Sequence, residues 1–413
     1  HNRKHSFPTR RSSDLATLAR GLLAEHGPRG LARLRLVLPS RRACLVMQEA
    51  FLEANAGAPL LPPKLVPVGD AAGELGLLDA AAELGVPPAL DDLHRRLLLF
   101  ELVRGADGDL PDEQAFKLAD ALRALIDELE QEDVPLAALR RLETGNAPRH
   151  WERIAHFLDL LADHWAAIER ENGGIGRMAR RARLLRAVTD RWTAASPGAV
   201  VMAGVTGSVP AVADLMAAVA ARPDGLVVLP GVDPEPATGL ADRLHPAHPQ
   251  HGFARVLDRL GLDLADVPVW SRVGPGARAR RRLLGAMTTP AALEPPAVDV
   301  DAALAGVELI EAPDMAGEAL AVALTLRALL EGEARALVVA PDRQLARRIA
   351  AELERFDLAV EDSAGQPLDQ TAPGTFALLV AHACLDPDPV VPTLALLKHP
   401  LARAGRDAAT CRR

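Results

Sequence analysis

Apolar residues along this chain fall into two patterns: short β-branched runs of four or five, and longer stretches with apolar positions at helical spacing. The two alternate most clearly over residues 199–233, AVVMAGVTGSVPAVADLMAAVAARPDGLVVLPGVD. Val200-Val201-Met202-Ala203 is too short for a helix and is bounded by Gly204, which predicts a strand buried on both faces. Residues 204–210 predict a tight turn, with Ser208 placed to cap the helix that follows and Pro210 in its first turn, where a missing N–H costs nothing. Residues 211–221 continue as helix, Arg222-Pro223-Asp224-Gly225 ends it, and Leu226-Val227-Val228-Leu229 predicts a second buried strand. Such a βαβ unit takes a right-handed crossover, and ligands bind beyond the carboxyl ends of its strands.

The same patterns extend to both sides. Residues 16–26 predict an amphipathic helix ended by Gly27-Pro28, residues 34–38 a strand, and residues 41–54 a helix entered through Pro39-Ser40. Residues 65–68 predict a short edge strand, since Pro67 cannot donate to a central ladder. From 87 to 192 the pattern is almost wholly helical (93–103, 113–132, 136–142, 150–172 and 178–192), which makes this block a helical insertion, about 87–195, between two strands of one sheet. After a stretch rich in Pro, His and Gly over 234–252, helices are predicted at 253–260 and 278–287, then a linker over 288–296. A second α/β unit follows, with strands at 307–311, 336–340 and 358–361 and helices at 316–330, 343–356, 372–384 and 391–397. The predicted class is α/β with two domains, 16–290 and 300–413, the first carrying the insertion.

Composition narrows the function. The chain of 413 residues is 49% hydrophobic, enough for a large core, and no apolar run reaches the ~18 residues of a membrane span. Cys44, Cys384 and Cys411 lie too far apart for a disulfide framework or a local zinc motif, which fits a reducing cytoplasm. A net charge of -8 argues against a free-standing high-affinity nucleic-acid binder but leaves room for a local basic face. With aromatics at 3% and no tyrosine, a base-stacking platform is not expected.

Candidate chemistry is sparse. A phosphate loop needs GxxxxGK[ST], and the only lysines, Lys4, Lys64, Lys117 and Lys398, never follow a glycine, so Gly204-Val205-Thr206-Gly207-Ser208 reads as a structural turn. His245, His248 and His251 are interrupted by Pro246 and Pro249, which points to loop packing rather than zinc. Arg278, Arg280, Arg281 and Arg282 read as a solvated helix face or as the lining of a channel. Asp91-Asp92 and Glu361-Asp362 are adjacent in sequence and do not share a helical face for acid-base work, and Asp233 reads as a cap or turn residue.

Several motifs in order carry a family resemblance: Val37-Leu38-Pro39-Ser40-Arg41-Arg42-Ala43, Ala203-Gly204-Val205-Thr206-Gly207-Ser208-Val209-Pro210, Val228-Leu229-Pro230-Gly231-Val232-Asp233, His248-Pro249-Gln250-His251-Gly252-Phe253, Glu361-Asp362-Ser363-Ala364-Gly365-Gln366-Pro367-Leu368 and Leu396-Leu397-Lys398-His399-Pro400-Leu401. In these the chain resembles the N-terminal part of the AddB family in its alphaproteobacterial form, the subunit that pairs with AddA in a bacterial helicase-nuclease for double-strand break repair. Residues 1–15 resemble a translated sequencing adapter and are set aside, and the chain is expected to be truncated at both ends.

The resemblance implies two RecA-like, superfamily 1 helicase-like domains, the second only begun. It also implies a C-terminal nuclease domain with magnesium and a 4Fe-4S cluster. That domain needs a Gln and Tyr element and four cysteines, which a chain with no tyrosine and three cysteines does not supply, so no catalytic residue, metal or cofactor is assigned to this chain. Its implied partners are the AddA motor subunit and single- and double-stranded DNA ends, with no membrane. In such a fold the loops at the strand ends contact phosphates of a single strand. Candidates are Ser40, Arg41 and Arg42, Thr206 and Ser208, Arg343 after Ala340-Pro341-Asp342, and Lys398. The rival expectations are a doubly wound metabolic enzyme with a small-molecule site at the Gly204 turn, and a structural scaffold.

Overall fold

A parallel sheet organises the first part of the chain in the computed structural model, which describes residues 9–70, 85–141, 148–194, 198–233, 244–263, 267–268, 275–332, 336–362, 365–386 and 388–403. In chain order the elements are α1 (Thr9–Gly30), β1 (Arg35–Leu38), α2 (Arg41–Ala54), β2 (Lys64–Pro67), α3 (Asp92–Ala106), α4 (Asp112–Gln131), α5 (Pro148–Glu171), α6 (Arg177–Ala194), β3 (Val200–Ala203), α7 (Pro210–Ala220), β4 (Gly225–Val228), α8 (His251–Leu260), α9 (Pro275–Thr288) and α10 (Val300–Leu304). A second unit, residues 309–413, contributes α11 (Met315–Leu330), α12 (Arg343–Glu354), α13 (Ala372–Leu385) and α14 (Val390–Lys398). The protein is α/β, and among the described residues no helix is long and apolar enough to cross a membrane.

The strand order is β2-β1-β3-β4, all parallel, with Val37 opposite Val66 and Met202, and Val201 opposite Leu226. Alternation along each strand feeds two cores. Leu36, Leu38, Val201 and Ala203 face α1 and α2, whose Leu18, Leu22, Met47 and Phe51 are buried there. Val37, Val200 and Met202 face the other side, where α6, α7 and α8 supply Leu185, Trp192, Leu215, Met216 and Val256. A sheet covered on both faces explains why these strands read as continuous apolar runs. Each side chain of this size contributes roughly 1.5–3 kcal/mol on burial. Pro67, which has no N–H to donate, ends β2 at the sheet edge.

Between β2 and β3 the chain makes the helical excursion, with Leu99, Val103, Ala119, Leu122, Ile126, Leu161 and Trp165 forming a separate core among α3, α4 and α5. α6 leaves this block to pack on the sheet through Leu185, Val188 and Trp192. The stretch 136–142 expected as α-helix is a 3-10 turn, Leu136–Arg141.

Three expectations need correction or refinement. α1 begins at Thr9 and not at the expected 16, and Leu15 packs partly buried against the α1/α2 core. The expected stop at Gly27-Pro28 is a kink, because Gly27 adopts φ 67°, ψ 168° and Pro28 restarts a helical turn. The runs 307–311, 336–340 and 358–361, expected as strands of a second α/β unit, form no strand ladder among the described residues. A strand exists only with a partner for its backbone groups, and these runs lie open, Leu309 at 86% and Val339 at 82% exposure. The core of this unit is helical, with Ala319, Ala323 and Leu326 of α11 against Ile349 and Leu353 of α12.

Candidate nucleic-acid interface

From β1 the chain crosses to β2 on one side, and β3 and β4 continue on the other, so the topological switch point lies between the carboxyl ends of β1 and β3. Two loops meet there. Gly204 takes φ 73° at the end of β3, and a Cβ on it would come 3.4 Å from Cδ of Pro39 at the end of β1. The amino ends of α2 and α7 follow immediately, bringing their partial positive charge to the same edge.

Of the expected contacts, this edge brings together Ser40, Arg41, Arg42, Thr206 and Ser208. Ser40 is the N-cap of α2, its hydroxyl accepting from the Ala43 amide at 3.1 Å, because an extended Ser before a helix aims its oxygen at the first free amides. Arg41 and Arg42 are the first two helical residues, both exposed and both already interacting within the chain. Ser208 does not cap α7, contrary to expectation. Val209 holds the N-cap position with Pro210 next, and α7 starts without a side-chain cap. The Ser208 hydroxyl instead lies 3.4 Å from that of Thr206, both residues exposed.

Between them Gly207 is buried, and its backbone is wedged under α8. At φ 64°, a Cβ there would run into Cγ2 of Val256 and come 3.0 Å from Sδ of Met216. The next loop is held as firmly. Gln250 donates to the Gly231 carbonyl at 3.1 Å and accepts from the Asp233 amide at 3.0 Å. The histidines serve this corner: Nδ1 of His248 accepts from the Gln250 amide at 3.1 Å, and Nδ1 of His245 from the Ala247 amide at 3.2 Å. Among the described residues no group of three or more His, Cys, Asp or Glu is placed to hold a metal ion.

Arg343 and Lys398 belong to the second unit. Arg343 opens α12 and forks onto Asp362 at 3.0 and 2.9 Å, while also donating to the Gly365 carbonyl at 2.6 Å. The hydrogen bonds, and then the charge, of Asp362 raise the pKa of Arg343. Arg343 ties Asp362 and Gly365 to α12, a structural duty the expected phosphate contact did not include. Lys398 is the last residue of α14 and exposed, a position that favours a cation next to the helix carboxyl end. In the basic run of α9, Arg280 donates to the Ala303 and Ala305 carbonyls at 3.1 and 2.7 Å, which ties it to α10.

A polar cluster inside the helical insertion escaped sequence reasoning. Arg95 is only 1% exposed in α3. Its guanidinium meets Asp127, Glu130 (2.8 Å) and Glu169 (3.3 Å), from α4 and α5, and lies 5.6 Å from the Trp165 ring centroid. The amide of Ala179 donates to Glu130 at 3.1 Å, and Gly176 passes so close that a Cβ would fall on the carboxylate. Burial pushes the Glu130 carboxyl up to about 7, against the pull of Arg95 and aided by Glu169 and Asp127. Burial also raises Glu169. The available signal was Arg95 itself, a charge in the i, i+4, i+8 stripe with Leu99 and Val103.

No protein-family model matches the chain, and no curated protein matches it.

Proposed function

We propose that this chain is the non-catalytic, helicase-like part of an AddB-type subunit, gripping the phosphates of single-stranded DNA at the switch point while a partner motor of the AddA type moves the strand. The observation that carries it is the convergence, at the carboxyl edge of a doubly wound parallel sheet, of two helix amino ends with Ser40, Arg41, Arg42, Thr206 and Ser208. Sheets of this kind hold ligands at that edge, and helix amino ends with hydroxyls and arginines suit phosphate oxygens. The edge has no lysine after a glycine to reach a triphosphate, and Gly207 is packed under Val256, which leaves the loop a fixed rim. On this reading the first unit is a degenerate RecA-like domain, the second the start of another, and the protein works in the cytoplasm in DNA repair.

The test is single-stranded DNA binding titrated with salt, with ATP binding followed in parallel. Affinity falling steeply with salt, and weakened in R41Q/R42Q, is the expected result. No binding at low salt would favour a scaffold, and tight nucleotide binding would favour a doubly wound enzyme.

A further inference from the structure

At the opposite, amino-terminal end of the sheet the structure gathers positive charge. Arg35 opens β1 and Lys64 opens β2, directly opposite each other in the parallel register. Their side chains share a face, because Leu36 and Leu65, one residue on, both turn to the α1/α2 side. Like charges set opposite one another across a ladder repel. From α6 a third cation joins them: the Arg35 guanidinium lies 5.9 Å from the centroid of Trp192, whose neighbour is Arg191. Burial, and then the Arg191 charge, push Arg35 below its ordinary value.

Among the described residues none of the three forms an ion pair. The carboxylate at the start of β4, Asp224, is engaged by Arg222 at 2.7 Å. Lys64 and Arg191 are exposed, and Arg35 is half-buried with its plane supported on the indole. In a chain of net charge -8, these three cations stand together with no carboxylate paired to any of them among the described residues.

We propose that Arg35, Lys64 and Arg191 form a second phosphate-contacting surface, taking the backbone of nucleic acid at the end of the sheet remote from the switch point. An anionic backbone crossing this edge supplies the counter-charge the three cations lack, and a supported guanidinium offers paired donors to phosphate oxygens. Because the ligand class is that of the function proposed above, the surface rests on that reading, yet its residues are different, so the two can fail separately.

The experiment measures binding of a fluorescent DNA hairpin with a single-stranded tail over a salt series, for the unaltered chain, K64Q/R191Q and R41Q/R42Q. Lys64 and Arg191 are both exposed, Arg35 and its indole are left alone, and K64Q/R191Q should melt no lower than the parent. The expected result is a slope of log affinity on log salt shallower by about 2 in K64Q/R191Q, since each contact is worth roughly 0.9, with K64R/R191K restoring it. An unchanged slope in K64Q/R191Q beside a reduced one in R41Q/R42Q overturns this surface and leaves the switch point standing. A change in K64Q/R191Q alone does the reverse, and no DNA binding by the parent overturns both.

Discussion

Gly207 holds φ at 64° between α7 and α8, and two separate constraints act on that single residue. A side chain in the left-handed region costs on the order of 1–2 kcal/mol by itself. Here a Cβ would in addition overlap the γ-methyl of Val256, which is buried in the sheet core and has little room to retreat. Overpacking of this kind adds about 1–3 kcal/mol. Gly231 is the internal control: its φ is 70°, but a Cβ there meets nothing within 4 Å. Urea unfolding should therefore show G207A destabilised by roughly 2–5 kcal/mol and G231A by about 1–2 kcal/mol. Equal losses would mean that the turn yields at Val256 and is not a fixed rim.

At the scale of elements, the joint between α3, α4 and α5 depends on a proton. Two guanidiniums, Arg95 and Arg123 (3.1 Å from Asp127), face the three carboxylates, so the cluster carries excess negative charge unless one acid is neutral. Glu130, raised to about 7 from an ordinary 4.5, is the carboxyl that keeps it. A carboxyl whose folded pKa lies above the unfolded one contributes stability that is fully present below the unfolded value and is lost as pH rises through the folded value. The helical block should lose stability between about pH 4.5 and 7, by up to roughly 3 kcal/mol, and change little above that. E130Q, neutral at every pH, should flatten this fall in melting temperature over the same window. If E130Q kept the full slope, the proton would reside on Glu169. The cluster also shows why legibility stopped where it did. β1, β3 and β4 were readable because burial on both faces writes an unbroken apolar run into one segment, and the stop at Gly204 is local. Arg95 in an apolar stripe was visible, but its three acids come from two other helices and only folding brings them together. Ser40 as a cap was readable from Pro39-Ser40 alone, whereas Ser208 lost that role to Val209 because Pro210 fixed where α7 begins.

For the molecule as a whole, the two units differ in how far their apolar runs are covered. In the first, the apolar runs of β1, β3 and β4 find neighbours in the sheet and helices on both of its faces. In the second, Leu309, Ile310, Leu337 and Val339 are exposed, in stretches with strand-like composition and no ladder among the described residues. The sequence reads these as strands because composition reports fitness for a sheet, while the sheet itself requires a partner. Uncovered backbone beside exposed β-branched and aliphatic side chains is a template for pairing with another chain. Self-association through the second unit follows, and it should show in sedimentation velocity as a mean mass that climbs with protein concentration. Placing a charge in each run, L309K/V339K, should suppress the climb, since a lysine on an open edge disfavours stacking and disturbs no buried contact. The first unit, whose core lies in other residues, should keep its own unfolding transition unchanged in that variant. The same concentration dependence with and without the lysines would place the sticky surface elsewhere, and a lowered first transition would mean that the two units share stability.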